Sequence, residues 1–208
     1  MPATLKCAID GPYLVQGLDR LTNSKGESLE VKGTVALCRC GGSASKPFCD
    51  GTHKRNAFSG ARIADGGNDR DGEYRAPGVV LRDNRSICAH AGHCTEGLPA
   101  VFREEGKPWI DAGGANSAAI AAVVARCPSG ALRLDATGAE PAAPPGQPRI
   151  AIEKDGPYAV TGDVAFVDAP WAQGADKHRF TLCRCGASRN KPYCDGSHWD
   201  AGFKDEKN

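Results

Sequence analysis

The sequence predicts a small, β-rich α+β protein that contains two copies of one domain and a different unit inserted between them. The 208-residue chain has ten Cys, 26 Gly and 14 Pro but only 6% aromatic residues, so its apolar core is thin for its length. Repetition decides the organisation. DGPYLVQG, from Asp10, returns as DGPYAVTG from Asp155. LCRCGGSASKPFCDGTH, from Leu37, returns as LCRCGASRNKPYCDGSH from Leu182, with 12 of 17 positions identical and the same separation of 145 residues.

Polar connectors suggest the domain boundaries. Residues 64–76 and 136–148 are rich in Gly, Pro and small polar residues, as linkers are. We therefore expect domains at 1–62, 77–135 and 149–208. The short alternating stretches Val35–Leu37 and Phe180–Leu182 predict strands that lead into the cysteines of each copy.

Charge and hydropathy exclude several classes of protein. With 26 basic and 25 acidic side chains, the formal charge of +1 gives no support for a nucleic-acid or anionic-membrane partner. No apolar run approaches the ~20 residues of a membrane-spanning helix, and the N-terminus lacks the apolar stretch of a secretory signal, so we expect a cytoplasmic protein. No phosphate-binding, dinucleotide-binding, nucleophile-elbow or HExxH motif is found, so no catalytic residue is predicted and we expect no enzyme.

The spacing of the repeated cysteines is that of a metal site. Cys-x-Cys-x8-Cys-x3-His occurs in both copies, ending at His53 and at His198. Cys38 and Cys40 are too close in sequence to form a disulfide with each other, and a cytoplasmic chain keeps its thiols reduced. Three thiolates and one imidazole suit either zinc or an iron–sulfur cluster, and the spacing alone leaves both open.

The residues between the ligands point to one family. Cys49-Asp50-Gly51-Thr52-His53 and its repeat, each preceded by Lys-Pro-aromatic, resemble the CDGSH iron–sulfur family. The resemblance implies one [2Fe-2S] cluster per copy, with three cysteines and one histidine as ligands. The implied ligands are Cys38, Cys40, Cys49 and His53, and Cys183, Cys185, Cys194 and His198. Family members commonly form homodimers, so the resemblance implies that this chain is a monomer containing an intramolecular pseudo-two-fold dimer.

Four further polar residues are predicted around these sites. Asp50 and Asp195 stand where a cap accepts backbone N–H groups and starts a short helix that carries the histidine. Ser43 and Ser188 are candidates to donate a hydrogen bond to cluster sulfur. For all four residues, ordinary turn formation is an equally good interpretation.

The middle unit has a different cysteine pattern. Cys88 and Cys94 match the first and third cysteines of the bacterial ferredoxin run C-x2-C-x2-C-x3-C-P, whose second position falls on Ala91, and Cys127-Pro128 supplies a remote ligand. The unit resembles divergent single-cluster ferredoxins. Three cysteines favour a [3Fe-4S] cluster; the alternative is [4Fe-4S] with His90, His93 or a non-protein fourth ligand. Otherwise these histidines are exposed loop residues. A hairpin over 101–110 and a helix over 117–126 are also expected.

Three ligand sets on one small chain favour electron transfer, with an unidentified redox protein as partner. The alternatives are a cluster donor or redox sensor, and a structural zinc module. Cys7 has no cysteine counterpart in the second copy, where Ile152 occupies the equivalent position, so we expect it to be a small packed apolar residue.

Overall fold

The computed structural model of the protein describes residues 3–63, 69–135, 146–167 and 170–208. Parts of both expected connectors, residues 64–68 and 136–145, lie outside the described residues. The strands in chain order are β1 (Ala3–Cys7), β2 (Tyr13–Gln16), β3 (Arg20–Thr22), β4 (Ser28–Leu29), β5 (Thr34–Leu37), β6 (Gly72–Ala76), β7 (Val79–Asp83), β8 (Leu132–Asp135), β9 (Arg149–Ile152), β10 (Tyr158–Thr161), β11 (Val164–Val167) and β12 (Arg179–Leu182). The α-helices are α1 (His93–Gly97) and α2 (Ser117–Val124), and short 3-10 helices span Thr52–Lys54 and Arg85–Ile87.

Each repeated copy contributes to the other copy's sheet, the first copy with β3 and β4 and the second copy with β11. One sheet has the order β11-β1-β2-β5 and the other the order β12-β10-β9-β3-β4. Strand β11 of the second copy pairs in parallel with β1, with Phe166 opposite Leu5. Strand β3 of the first copy pairs in parallel with β9, with Leu21 opposite Ile150. These two pairings are equivalent under the 145-residue repeat, so the exchange of strands is reciprocal.

Alternating burial explains why these short segments form strands. In β1, Ala3 and Leu5 are fully buried while Lys6 is exposed, and in β2 Tyr13 and Val15 are buried while Gln16 is exposed. This period of two is that of a sheet with one face against a core. The buried residues of both copies and of the middle unit form one continuous hydrophobic core. Cys7 packs against that core, as predicted for a small apolar residue.

Two tyrosines fix the copies against each other. The Tyr13 hydroxyl donates to the carbonyl oxygens of Cys183 (2.9 Å) and Pro192 (3.0 Å). The Tyr158 hydroxyl makes the equivalent bonds with the first copy, to Cys38 (2.9 Å) and Pro47 (3.0 Å). The two rings meet edge to face, with centroids 6.0 Å apart. Burial raises the pKa of both phenols well above the usual value, so the hydroxyls stay protonated and can donate.

The middle unit has its own antiparallel sheet, with the order β6-β7-β8. Strand β6 lies in the segment expected to be a connector. Its sequence, GEYRA, has no clear apolar alternation, and none of its side chains is fully buried. The predicted helix is confirmed as α2, with Ile120, Val123 and Val124 buried and the Asn116 side chain accepting from the Ala119 N–H. The predicted hairpin is reduced to an antiparallel bridge between Phe102 and Ile110.

The described chain is mostly sheet with few helices, which agrees with the α+β class. No helix in its described ranges is long and apolar enough to cross a membrane.

Candidate metal centres

In the first copy, the four predicted ligands come together as two pairs. Strand β5 ends at Leu37 and delivers Cys38 directly into the Cys-x-Cys loop, where its sulfur lies 3.8 Å from that of Cys40. The 3-10 helix Thr52–Lys54 carries His53, whose Nδ1 lies 3.4 Å from the Cys49 sulfur. Cys38 and Cys40 form one pair of donors, and Cys49 and His53 form the other. Two such pairs suit two metal atoms that each need two protein ligands.

The second copy repeats this arrangement. Strand β12 ends at Leu182 immediately before the ligands, and the Cys183 and Cys185 sulfurs are 3.7 Å apart. His198 Nδ1 lies 3.5 Å from the Cys194 sulfur. His198 sits in a turn, so the predicted short helix is absent from this copy although the histidine occupies the same place.

The donor geometry fits tetrahedral metal coordination. Two thiolates bound to one tetrahedral metal at about 2.3 Å lie about 3.8 Å apart, and a thiolate and an imidazole lie about 3.6 Å apart. Among the residues that the structure describes, no three His, Cys, Asp or Glu side chains converge on a single ion position.

Burial raises the pKa of Cys38 to about 11, so this thiol ionises at neutral pH only when a metal charge compensates for its burial.

The aspartates and serines shape the ligand loops. Asp50 accepts from the N–H groups of Thr52 (2.9 Å) and Ala44 (2.8 Å), which ties the histidine turn to the loop before it. Asp195 accepts equivalently from Ser197 and Arg189. The Thr52 side chain, followed by backbone N–H groups, holds the pKa of Asp50 below its usual value. At Asp195 burial is the largest single effect and raises the pKa, but the Ser197 hydroxyl and backbone N–H groups together lower it below its usual value.

The serine hydroxyls that were predicted as donors to cluster sulfur have backbone acceptors in the structure. The Ser43 hydroxyl donates to the Phe48 carbonyl at 2.7 Å, and the Ser188 hydroxyl donates to the Tyr193 carbonyl at the same distance. A hydroxyl has one hydrogen to donate, and here it closes the loop between the cysteines. The alternative of turn formation is therefore the one that the structure shows.

The two sites differ in burial. His198 is only 5% exposed, whereas His53 is partly exposed. Burial and the neighbouring His90 lower the pKa of His198. Lys191 and Cys194 are also buried, while their counterparts Lys46 and Cys49 are partly exposed. The middle unit contacts the second copy's histidine loop, since a Cβ on Gly196 would lie 2.6 Å from His90 Nδ1, whereas Lys191 lies near the Phe58 ring of the first copy.

The cysteines of the middle unit line one cavity of about 430 Å³. Cys88 follows a 3-10 helix, Cys94 lies in α1, and Cys127 follows α2, so three separate elements converge on it. Burial raises the pKa of the Cys88 thiol to about 12. Three thiols facing one space, with Cys127 buried and Cys88 and Cys94 partly exposed, fit a cluster larger than a single ion.

His90 and His93 line the same cavity. His90 is exposed over much of its surface, as predicted, and its Nε2 lies 3.3 Å from an Arg85 guanidinium nitrogen. Because arginine can only donate, Nε2 of His90 accepts, and its lone pair is engaged. This contact argues against His90 as a fourth cluster ligand.

Known families match all three units. The family described as "Iron-binding zinc finger CDGSH type" matches residues 10–54 and 155–199. The chain belongs to the CDGSH iron–sulfur family. Between its two CDGSH copies, residues 74–137 match the family described as "Divergent 4Fe-4S mono-cluster". The predicted order of domains is thereby confirmed, and the protein carries iron–sulfur-binding domains.

Similarity to curated proteins is local. "Uncharacterized protein YjdI" from Escherichia coli K12 is 36% identical over 66 residues, which cover 30% of this chain and 87% of that protein. The protein of the same name from Escherichia coli O157:H7 matches with the same figures.

Several residues around the CDGSH sites were not predicted as site residues. Tyr13 and Tyr158 hold the carbonyls of the opposite copy's ligand loops. Arg184 is fully buried and forms an ion pair with Asp205, whereas its counterpart Arg39 lies beside Gly60 and has an unpaired Nε. The tyrosines and arginines are identical in the two copies, and this identity was the sequence signal that could have marked them as site residues. Asn190 had no such signal, because the first copy has Ser45 there.

Proposed function

We propose that this protein is a multi-cluster iron–sulfur electron carrier that exchanges electrons with redox partner proteins. In this proposal the two CDGSH sites each hold a [2Fe-2S] cluster, and the middle unit holds a [3Fe-4S] cluster through Cys88, Cys94 and Cys127. The chain carries electrons between proteins and performs no chemistry on a bound substrate.

The observation that supports electron transfer best is the contact between ligand loops. A Cβ placed on Gly41 would lie 2.4 Å from the Cys185 carbonyl oxygen, and one on Gly186 would lie 2.7 Å from that of Cys40. Both glycines have left-handed backbones, with φ of +74° and +80°. Only glycine combines this conformation with such a close approach. The Cys-x-Cys loops of the two copies therefore touch, which shortens the path between their sites.

The reciprocal strands support an internal pseudo-two-fold dimer. Two parallel pairings and two pairs of tyrosine hydrogen bonds are equivalent under the same 145-residue repeat. A monomeric chain thereby supplies what a family homodimer obtains from two subunits.

The bound clusters would supply one-electron chemistry, and the two CDGSH clusters would have a higher potential than all-cysteine [2Fe-2S] sites because neutral imidazole replaces a thiolate. The chain's residues set the conditions for it. Cys38 and Cys183 are 1% exposed, which keeps water from one side of each site. Backbone N–H groups of Gly51 and Ala187 donate to the sulfurs of Cys49 (3.5 Å) and Cys185 (3.4 Å), so each of these ligands has a hydrogen-bond donor beside it.

Iron and sulfide analysis with EPR on anaerobically purified protein tests this proposal. We expect a red protein with about seven iron atoms and no zinc; about eight would indicate the [4Fe-4S] alternative, and about four would leave the middle unit without a cluster. Stoichiometric zinc without acid-labile sulfide would contradict the iron–sulfur assignment at the CDGSH sites.

A second candidate function is cluster donation, favoured by the partial exposure of His53. Imidazole protonates more readily than a bound thiolate, so it is the weaker ligand in acid. If the protein is a donor, His53→Cys lowers cluster transfer to an apo-acceptor. If it is a carrier, transfer is negligible in the wild type, and the variant changes only electron-exchange rates. Rapid transfer of both [2Fe-2S] clusters at neutral pH would contradict the carrier.

A further inference from the structure

We propose that the middle unit is docked on the second CDGSH copy as its built-in one-electron redox partner, through contact between the Cys88–Cys94 loop and the His198 loop. The inference rests on the proposed function and adds a specific partner for one site. It also makes the two CDGSH sites functionally unequal, although their ligand sets are the same.

The first contact is between His90 and Gly196. A Cβ on Gly196 would lie 2.6 Å from His90 Nδ1 and 3.0 Å from its Cγ, so the ring rests directly on this glycine. Gly196 lies between the ligands Cys194 and His198. At the equivalent Gly51 of the first copy, a Cβ would meet nothing within 4 Å. The middle unit therefore covers one copy's histidine loop and leaves the other open.

The second contact is a buried hydrogen bond. The Asn190 side chain, 3% exposed, donates to the Ser86 carbonyl at 2.6 Å. Asn190 belongs to the loop between the second copy's cysteines, and Ser86 lies two residues before Cys88. The first copy has the exposed Ser45 at this position. One of the few differences between the repeated motifs thus makes the interface.

Arg85 connects Cys88 of the middle unit to this interface. Its guanidinium approaches the Cys88 sulfur at 3.8 Å and His90 Nε2 at 3.3 Å, and it stacks over Trp109 at 4.6 Å from the ring centroid. The bond to Nε2 fixes the ring so that its other edge faces Gly196. Short contacts therefore run from Cys88 through Arg85 and His90 to the loop that carries His198.

The redox step across this interface is a one-electron exchange. With both sites loaded, one electron would pass from the cluster that Cys88, Cys94 and Cys127 would hold to the cluster that the second copy's ligands would hold, or the reverse. No bond forms or breaks, and no proton moves. The electron enters from a one-electron carrier protein, as the proposed function requires.

A matched pair of variants tests the docking. Gly51→Ala and Gly196→Ala impose the same left-handed strain, since φ is +84° and +87°, but only Gly196→Ala must displace His90. In hydrogen–deuterium exchange of the full holoprotein, we expect Gly196→Ala to raise exchange at residues 85–94 about five-fold, and Gly51→Ala to leave it unchanged. Adding His90→Ala to Gly196→Ala should remove the excess.

A milder variant covers the possibility that Gly196→Ala fails to fold. Asn190→Ser places the first copy's residue in the second copy and should also raise exchange at residues 85–94, while Ser45→Ala should not. Equal effects of Gly51→Ala and Gly196→Ala, or no effect of Asn190→Ser, would overturn the docking.

EPR relaxation of the fully reduced protein tests the redox pairing. Dipolar coupling falls steeply with distance, so the second copy's signal should relax faster than the first copy's. His53→Cys and His198→Cys each shift one signal and assign it. Equal relaxation of both signals would overturn the redox pairing but leave the electron-carrier proposal intact. Absence of iron and sulfide would overturn the electron-carrier proposal. In that case the hydrogen-exchange experiment would still test whether the middle unit docks on the second copy.

Discussion

Asp83 shows how a single buried carboxyl affects the stability of the middle unit. It is 4% exposed, lines the cavity with Cys88 and Cys127, and has one oxygen without a partner. Burial raises its pKa to about 6, above the usual value of 3.8. The folded state therefore disfavours the charged form, and this group's contribution to the free energy of unfolding falls as pH rises from about 4 to about 6.

Asp83→Asn should remove that penalty. We expect the variant to be more stable than the wild type at pH 7 to 8, by up to about 3 kcal/mol, with the difference vanishing near pH 4. Urea unfolding at a series of pH values measures this. Glu105→Gln, at an exposed acidic residue, serves as the control and should show no such dependence. A difference independent of pH would mean that Asp83 acts through packing.

The position of Asp205 differs between the copies, because the first copy has Gly60 there. Its carboxylate forms an ion pair with Arg184, and the two side chains are 2% and 0% exposed. Removing one partner leaves a buried charge, so Asp205→Asn should lower the free energy of unfolding by about 3–5 kcal/mol. Thermal or urea denaturation measures the loss, with the exposed Asp200→Asn as control. A loss below about 1 kcal/mol would show that water replaces the carboxylate.

At the level of elements, the tyrosines of β2 and β10 are equivalent. Tyr13→Phe and Tyr158→Phe each remove one hydroxyl hydrogen that two buried carbonyls share, and each should cost about 1–3 kcal/mol. The proline carbonyl of each pair keeps a backbone N–H partner, so the loss falls on the cysteine carbonyl. Because the geometry repeats, the two losses should agree closely. Urea unfolding of both variants checks this, and markedly unequal losses would contradict the equivalence of the two copies.

Local pattern and spacing were enough to predict β5, β12 and α2, and the ligand pairs come together as the repeated spacing indicated. The pairing of β1 with β11 could not be predicted, because strand alternation says which face is buried but not which distant strand lies alongside. Strand β6 was missed since it buries no side chain fully. The contacts of His90 and Asn190 depend on how the units dock, and a motif carries no such information.

At the scale of the whole molecule, the sheets of the two copies contain no strand from the middle unit. A chain in which a long Gly/Ser linker replaces residues 64–145 should therefore still assemble both CDGSH sites. Its 194–198 loop should lose protection and exchange hydrogen as readily as the 49–53 loop. Iron content and hydrogen exchange measure the two outcomes. Failure to bind about four irons would show that the middle unit is required for the fold of the CDGSH copies.

The reciprocal strands have a consequence for biosynthesis. Strand β1 leaves the ribosome well before its parallel partner, β11, which ends at Val167. At 5–20 residues per second, the outer edge of β1 waits on the order of ten seconds or more for that partner. Neither copy can complete its sheet during early translation, and an unpaired edge invites pairing with other nascent chains. Iron and sulfide are therefore best delivered after the full chain has been released.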